Sequence, residues 1–321
     1  MKNKVSILLS LVFISGILLS ACTPQVTPTL AANAPSGTIA ISGAFALYPM
    51  MTRWSEEYTK INPGVKFDVS AGGAGKGMTD AISGAVEIGM VSREITTDEE
   101  ARGAYWVPVV IDAVFPTVSD KNPVLNTLMT KGVTKETFAK IFISGEYKTW
   151  GDVVGDPTIT DEIHVYTRSD ACGAADTWSK YLGGKQEDLL GIGMGSDPAL
   201  LDVVIKDPLG IGYNNLNYAF DTTTGINVVG SLVFPIDVNE NGVVDKSELL
   251  QSTKAAVTAI ADGKYPSPPA RELNLVTNGK PTGLVKDFIV WTLTDGQKFV
   301  SESGYIPLTP EKLSAALQKV Q

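Results

Sequence analysis

Hydrophobic and polar positions alternate along this chain with two different periods. Residues 38–41, 65–69, 106–111, 163–167 and 203–205 read as short strands, and 231–236 look like another. Between them apolar residues recur at helical spacing: Met51, Trp54 and Tyr58; Met78 and Ile82; Phe138, Ile141 and Phe142; Trp178, Tyr181 and Leu182. Residues 288–293 with Phe299 predict a late amphipathic helix. Strand and helix signals alternating from end to end predict α/β layers. Residues 145–150 read as a turn, and the proline-rich run YPSPPAR (265–271) as an extended connector. No internal repeat interrupts this pattern.

The N-terminus follows another rule. Lys2 and Lys4 precede an uncharged apolar run over residues 5–18, and Leu19, Ser20, Ala21 and Cys22 follow. A short basic segment, an apolar stretch and small residues form a secretory signal. The sequence around Cys22 also looks like a bacterial lipoprotein box, which makes Cys22 the expected lipidated first residue and anchors the chain to the membrane. The signal peptide is assigned to 1–21, and residues 22–36, rich in proline and small side chains, to a tether. Without Lys2 and Lys4 the formal charge falls from −9 to −11. That acidity argues against a nucleic-acid partner. With Cys22 lipidated, Cys172 is the one remaining thiol, so no intrachain disulfide is expected. The rest of the chain is long enough for two lobes with separate cores.

The candidate chemistry lies where small residues meet helix starts. RSDACGAADTW (168–178) places Arg168 just ahead of a helix expected to begin near Gly173 or Ala174. Uncovered N–H groups at a helix start favour an anion, and a guanidinium beside them adds charged donors. SGAFALYP (42–49) and GGAGKG (72–77) repeat the device, each between a strand and a helix. Neither is a dinucleotide or Walker fingerprint: Lys76 is followed by Gly77, where a magnesium-binding hydroxyl would be needed.

Taken in order, SGAFALYP, GGAGKG, IGMVSREI, RSDACGAADTW, GIGYNNLNY and NGKPTG…FIVWTLTDGQKFVSESGYIPL resemble the phosphate-binding lipoproteins that serve ABC phosphate importers. The resemblance spans roughly residues 37–308. It implies a type II periplasmic-binding-protein fold with a ligand cleft between two α/β lobes, one built from 37–112 plus 265–321 and the other from 113–264. It implies an extracytoplasmic receptor that binds inorganic phosphate and passes it to ABC permease subunits. The matching positions are Ala44, Phe45 and Ala46; Ala74 and Gly75; Ser92 and Arg93; and Arg168, Cys172, Gly173 and Ala174. Asp170 is expected to orient Arg168 or to accept a proton-bearing ligand oxygen. Many relatives carry Ser or Thr where this chain has Phe45, Ala46, Ala74, Cys172 and Ala174, and each lost hydroxyl removes about 1 kcal/mol of net hydrogen bonding. Arg93 replaces an aspartate found in many relatives. These departures keep open a different oxyanion or small anionic solute as ligand, or a sensor or adhesion role on the same fold.

An enzyme is not expected. His164 is the only histidine, no GxSxG elbow accompanies it, and no His/Cys cluster is available for a metal. No cofactor is needed for anion binding. One further motif stands apart: residues 237–248, DVNENGVVDKSE, match the twelve-residue calcium loop. Asp237, Asn239, Asn241, Val243 (through its carbonyl), Asp245 and Glu248 are the expected oxygen donors, and Gly242 permits the sharp turn. A structural Ca2+ is the expectation, the alternative being an Asx-rich surface turn that holds itself together.

Overall fold

The computed structural model describes residues 34–321. The signal peptide, Cys22 and nearly all of the tether lie outside the described residues. Among those described, no helix is long and apolar enough to cross a membrane.

The described residues form nine strands: β1 (Ser36–Gly43), β2 (Gly64–Ala71), β3 (Ile88–Val91), β4 (Ala104–Ser119), β5 (His164–Arg168), β6 (Ile192–Met194), β7 (Gly210–Asn215), β8 (Ser231–Val233) and β9 (Ala270–Asn278). They lie in the order β2-β1-β3-β9-β4-β7-β5-β6, with β8 also on β4. β1 is parallel to β2 and β3, while β9 runs antiparallel to β3 and β4. β4 joins the halves. Its residues 104–113 pair with β9, and its residues 114–118 pair with β7. The strand is buried along most of its length, and its apolar side chains accordingly run on without the alternation of a half-exposed strand.

Two hydrophobic cores sit on either side of this junction. One gathers residues from Ile39 to Val110 and from Leu273 to Val320. Its centre is aromatic, with the Tyr58 ring 5.2 Å from Phe288 and 5.3 Å from Trp291, both edge-on. The other gathers residues from Ala113 to Ala270, around Trp178 with Phe138 at 5.2 Å and Tyr213 at 5.8 Å. The chain passes between the cores within β4 and again before β9, where the Val114 N–H donates to Pro269 O at 3.3 Å. Ile306, from the C-terminal segment, bridges to Ile111 and packs into the second core.

Two local expectations are corrected. Residues 203–205 are helical, inside Asp197–Lys206. Ser196 Oγ caps that helix by accepting from Ala199 N at 3.2 Å, and a proline opens its first turn. Those start signals outweigh the weak strand preference of a β-branched run in the last turn. Phe299 is not on the late helix either: Gly283–Thr292 ends first, and Phe299 closes a separate 3-10 turn, Asp295–Phe299. Trp54 Nε1 donates to Gly296 O at 2.9 Å and ties that turn to the first core.

Candidate functional site

The carboxyl ends of parallel strands are where α/β sheets leave backbone donors facing a crevice. In the first lobe β1, β2 and β3 end at 43, 71 and 91, and the following turns lie side by side. The approach is close: a Cβ on Gly43, whose φ is +133°, would sit 2.3 Å from Met90 O. Beyond it, the turn Phe45–Leu47 leads into the helix Tyr48–Ile61, and Gly73 leads into the helix Ala74–Ser83. Neither start has a side-chain cap. In the second lobe β5 ends on Arg168, the helix Gly173–Leu182 follows, Asp197 opens its helix, and β7 ends on Asn215. Ala44, Phe45, Ala46, Gly73, Ala74, Ser92, Arg168, Cys172, Gly173, Ala174, Asp197 and Asn215 line a tight space between the lobes, with almost no free volume left in it.

Arg168 governs the electrostatics of this space. Its side chain is 1% exposed. Nε and Nη2 each donate to Asp170 at 2.8 Å, forming a fork on one carboxylate, and Nη1 donates to Asp197 Oδ2. The Phe45 ring lies 5.3 Å below the guanidinium. Burial works against the charge, but the carboxylates of Asp197 and Asp170 outweigh it and hold the arginine ionised. Burial pushes the Cys172 thiol up to about 12, so it is a neutral group. Its Sγ accepts from Ala175 N at 3.3 Å, as a weak cap of the Gly173–Leu182 helix.

Two expected residues serve other contacts. Arg93 turns away from the enclosed space, with Nη2 and Nη1 on Glu99 Oε1 and Oε2 at 2.7 and 3.0 Å. Glu99 is already fixed there as the capping-box partner of Thr96, so a carboxylate stands within Arg93's reach on its own side of the cleft. The Gly75 N–H donates to Ala171 O at 2.8 Å, linking the two anion loops to each other. Asp170 stands behind Arg168 and against Gly73, where an added Cβ would lie 2.5 Å from its Oδ2. His164 is exposed at the surface and pairs with Asp207 at 2.7 Å.

Sequence reasoning missed Gly73, Asp197 and Asn215. Asp197 reads as the first residue of an ordinary Ser-capped, proline-started helix, and Asn215 as the end of a strand. Nothing local says that both face an arginine. Once folded, they are linked: Asn215 Nδ2 donates to Asp197 Oδ1 at 2.7 Å.

The loop at 237–248 folds on itself. Asp237 accepts from Gly242 N at 2.8 Å and Asn241 N at 3.2 Å. Glu248 accepts from Val238 N at 2.8 Å and Asp245 N at 2.9 Å, and Asn239 Nδ2 donates to Asp245 at 2.7 Å. Glu240 and Gly242 take φ values of +58° and +76°, which bend the loop sharply. Among the described residues, no three His, Cys, Asp or Glu side chains form a metal-holding group.

Comparison with known proteins places this geometry in a family. The PBP superfamily domain matches residues 28–296. The phosphate-binding protein PstS of Bacillus subtilis is 26% identical over 282 residues, covering 87% of this chain and 83% of that protein. PstS of Methanocaldococcus jannaschii is 24% identical over 363 residues, covering 92% and 90%. In fold, a substrate-binding protein of Clostridium perfringens solved with bound phosphate superposes with a TM-score of 0.69 at 21% identity, over 85% of this chain and 100% of that one. The shared architecture is a mixed α/β fold with a curled sheet. This chain belongs to the PBP superfamily.

Proposed function

We propose that the protein is an extracytoplasmic receptor that captures inorganic phosphate between its lobes and delivers it to an ABC importer. The observation that carries this reading is the meeting of three helix starts and one buried arginine around a single small space. A tetrahedral oxyanion matches that donor set. Backbone N–H groups at Phe45–Ala46, Ala74 and Gly173–Ala174 would take its oxygens, and Arg168 would supply the counter-charge. The names of the relatives support phosphate in particular. Binding, not turnover, is the chemistry on offer: the one thiol in the space is neutral, and His164 is on the surface. The signal-like N-terminus supports a lipid anchor at Cys22, with permease subunits as the partners that unload the cleft.

The replaced hydroxyls favour one competing reading, a different oxyanion or small anionic solute. Titration calorimetry of the purified protein against phosphate, sulfate, nitrate and small carboxylates separates the two. Phosphate is expected to bind most tightly. A clearly tighter competitor overturns the phosphate assignment, and no binding by any of them overturns the receptor.

A structural Ca2+ in the 237–248 loop remains a separate proposal, supported by the order of its oxygen donors and its left-handed turns. Asp237, Asp245 and Glu248 repel one another without a cation, so calcium at about 1 mM is expected to raise the melting temperature by mass action. Glu248→Gln is expected to remove that response and to leave anion affinity unchanged. A melting curve that calcium does not move would show a turn closed by its own amides.

A further inference from the structure

Arg271 and Asp112 stand directly opposite each other where β9 and β4 pair at the crossover between lobes. Charges so placed form an ion pair here, but one without a hydrogen bond. Arg271 Nη1 lies 3.4 Å from Asp112 Oδ2, and neither atom has a hydrogen-bond partner, although the side chains are only 9% and 1% exposed. The guanidinium is drawn elsewhere. Its Nη2 donates to Asn215 Oδ1 in the second lobe, and its Nε donates at 3.2 Å to Ser92 O in an anion loop of the first. Asn215 in turn holds Asp197, which holds Arg168. A buried chain of contacts thus runs from the anion site to the crossover, where it reaches Asp112 through the ion pair alone.

We propose that Arg271 couples anion capture to lobe closure, hydrogen-bonding Asp112 while the cleft is open and giving up those hydrogen bonds for Asn215 and Ser92 as the cleft closes. The inference rests on the reading of this cleft as one that closes on its ligand. A buried carboxylate oxygen and guanidinium nitrogen left without hydrogen bonds penalise the closed form. The empty receptor is therefore biased open, and the ligand's contacts offset the penalty.

The exchange has a proton signature. With the lobes as close as they are here, burial pushes the Asp112 carboxyl up to about 6, against the opposing pull of Arg271 and of the Ala113 and Leu216 N–H groups. Asp197 adds like charge, and Tyr218, Tyr265 and Tyr305 are the other ionisable groups around it. A full pair with Arg271 in the open form keeps the carboxylate ionised to lower pH. An acid whose pKa is higher in the closed form takes up a proton on closing. Affinity should then rise as pH falls through about 6 and stay flat well above it.

The test compares the full-length protein with Asp112→Asn, each carrying spin labels on cysteines introduced at Glu56 in the first lobe and Asp202 in the second. Without ligand, the variant is expected to populate shorter inter-label distances than the parent. In calorimetry with inorganic phosphate it is expected to bind about fivefold more tightly than the parent at about pH 7.5, and to lose the parent's extra gain at about pH 5.5. Phosphate's own ionisation acts on both proteins alike. Identical distance distributions together with identical pH dependence would overturn the exchange. If Asp112→Asn does not fold, Arg271→Lys carries the test: one ammonium does not span both Asn215 and Ser92, so longer distances and weaker binding are expected, and parental behaviour refutes the proposal. If the parent binds no phosphate, the phosphate reading fails, while the ligand-free distances still report on Arg271.

Discussion

Replacing Gly173 by alanine is expected to weaken phosphate binding by on the order of 10²-fold while leaving the protein as stable as before. Gly173 is the first residue of its helix, and its φ is not in the left-handed region, so alanine suits the backbone. The obstacle is across the cleft. An added Cβ would lie 2.2 Å from Ser92 O and from Ser92 Oγ, far inside contact distance. Ser92 belongs to the first lobe and Gly173 to the second, so the clash exists only when the lobes meet. The variant should therefore fold, melt normally without ligand, and fail to close. Calorimetry and a ligand-free melting curve check both halves. Parental affinity in Gly173→Ala would show that the lobes need not approach this closely for binding.

Arg168→Ala should lose more, on both affinity and stability. The side chain is 1% exposed and stands between two carboxylates. Its removal leaves Asp170 and Asp197 facing each other in a space already short of positive charge, a loss of about 3–5 kcal/mol for a broken buried pair. Binding of an anion there should fall by on the order of 10³-fold, because the counter-charge is gone and two negative groups remain. Arg168→Lys keeps the charge without the fork and should recover only part of the affinity. Arg93→Ala, whose guanidinium is held by Glu99, should change affinity by less than about tenfold. Equal losses for Arg93→Ala and Arg168→Ala would show that Arg93 swings into the ligand space.

Much of this site was legible because it is made of local events. A strand, a turn of small residues and a helix start can all be read within ten or so residues, and Arg168 lies inside such a window. The alternating periods likewise pointed to α/β layers. What stayed hidden depends on partners distant in sequence. Asp197 and Asn215 look like routine helix-start and strand-end residues until the fold sets them beside Arg168. The direction taken by Arg93 was decided by Glu99, a residue whose capping role gave no hint of a second partner. The unsplit length of β4 was obscured because its two halves serve different cores, and the helix around 203–205 because three β-branched or aliphatic neighbours mimic a strand. Local chemistry is written in order along the chain, whereas charge compensation is not.

The strand order also sets a schedule for assembly. In the first lobe β9 lies between β3 and β4, so these two early strands are joined into one sheet only when the last sixth of the chain has arrived. The second core, by contrast, is drawn from one continuous stretch, residues 113–270, with Ile306 as its one buried later addition. During synthesis the second lobe can mature while the first still lacks its central strand. A chain truncated just before β9 would therefore retain one finished half and one half exposing β3 and β4 as open edges, the very surfaces that recruit other strands.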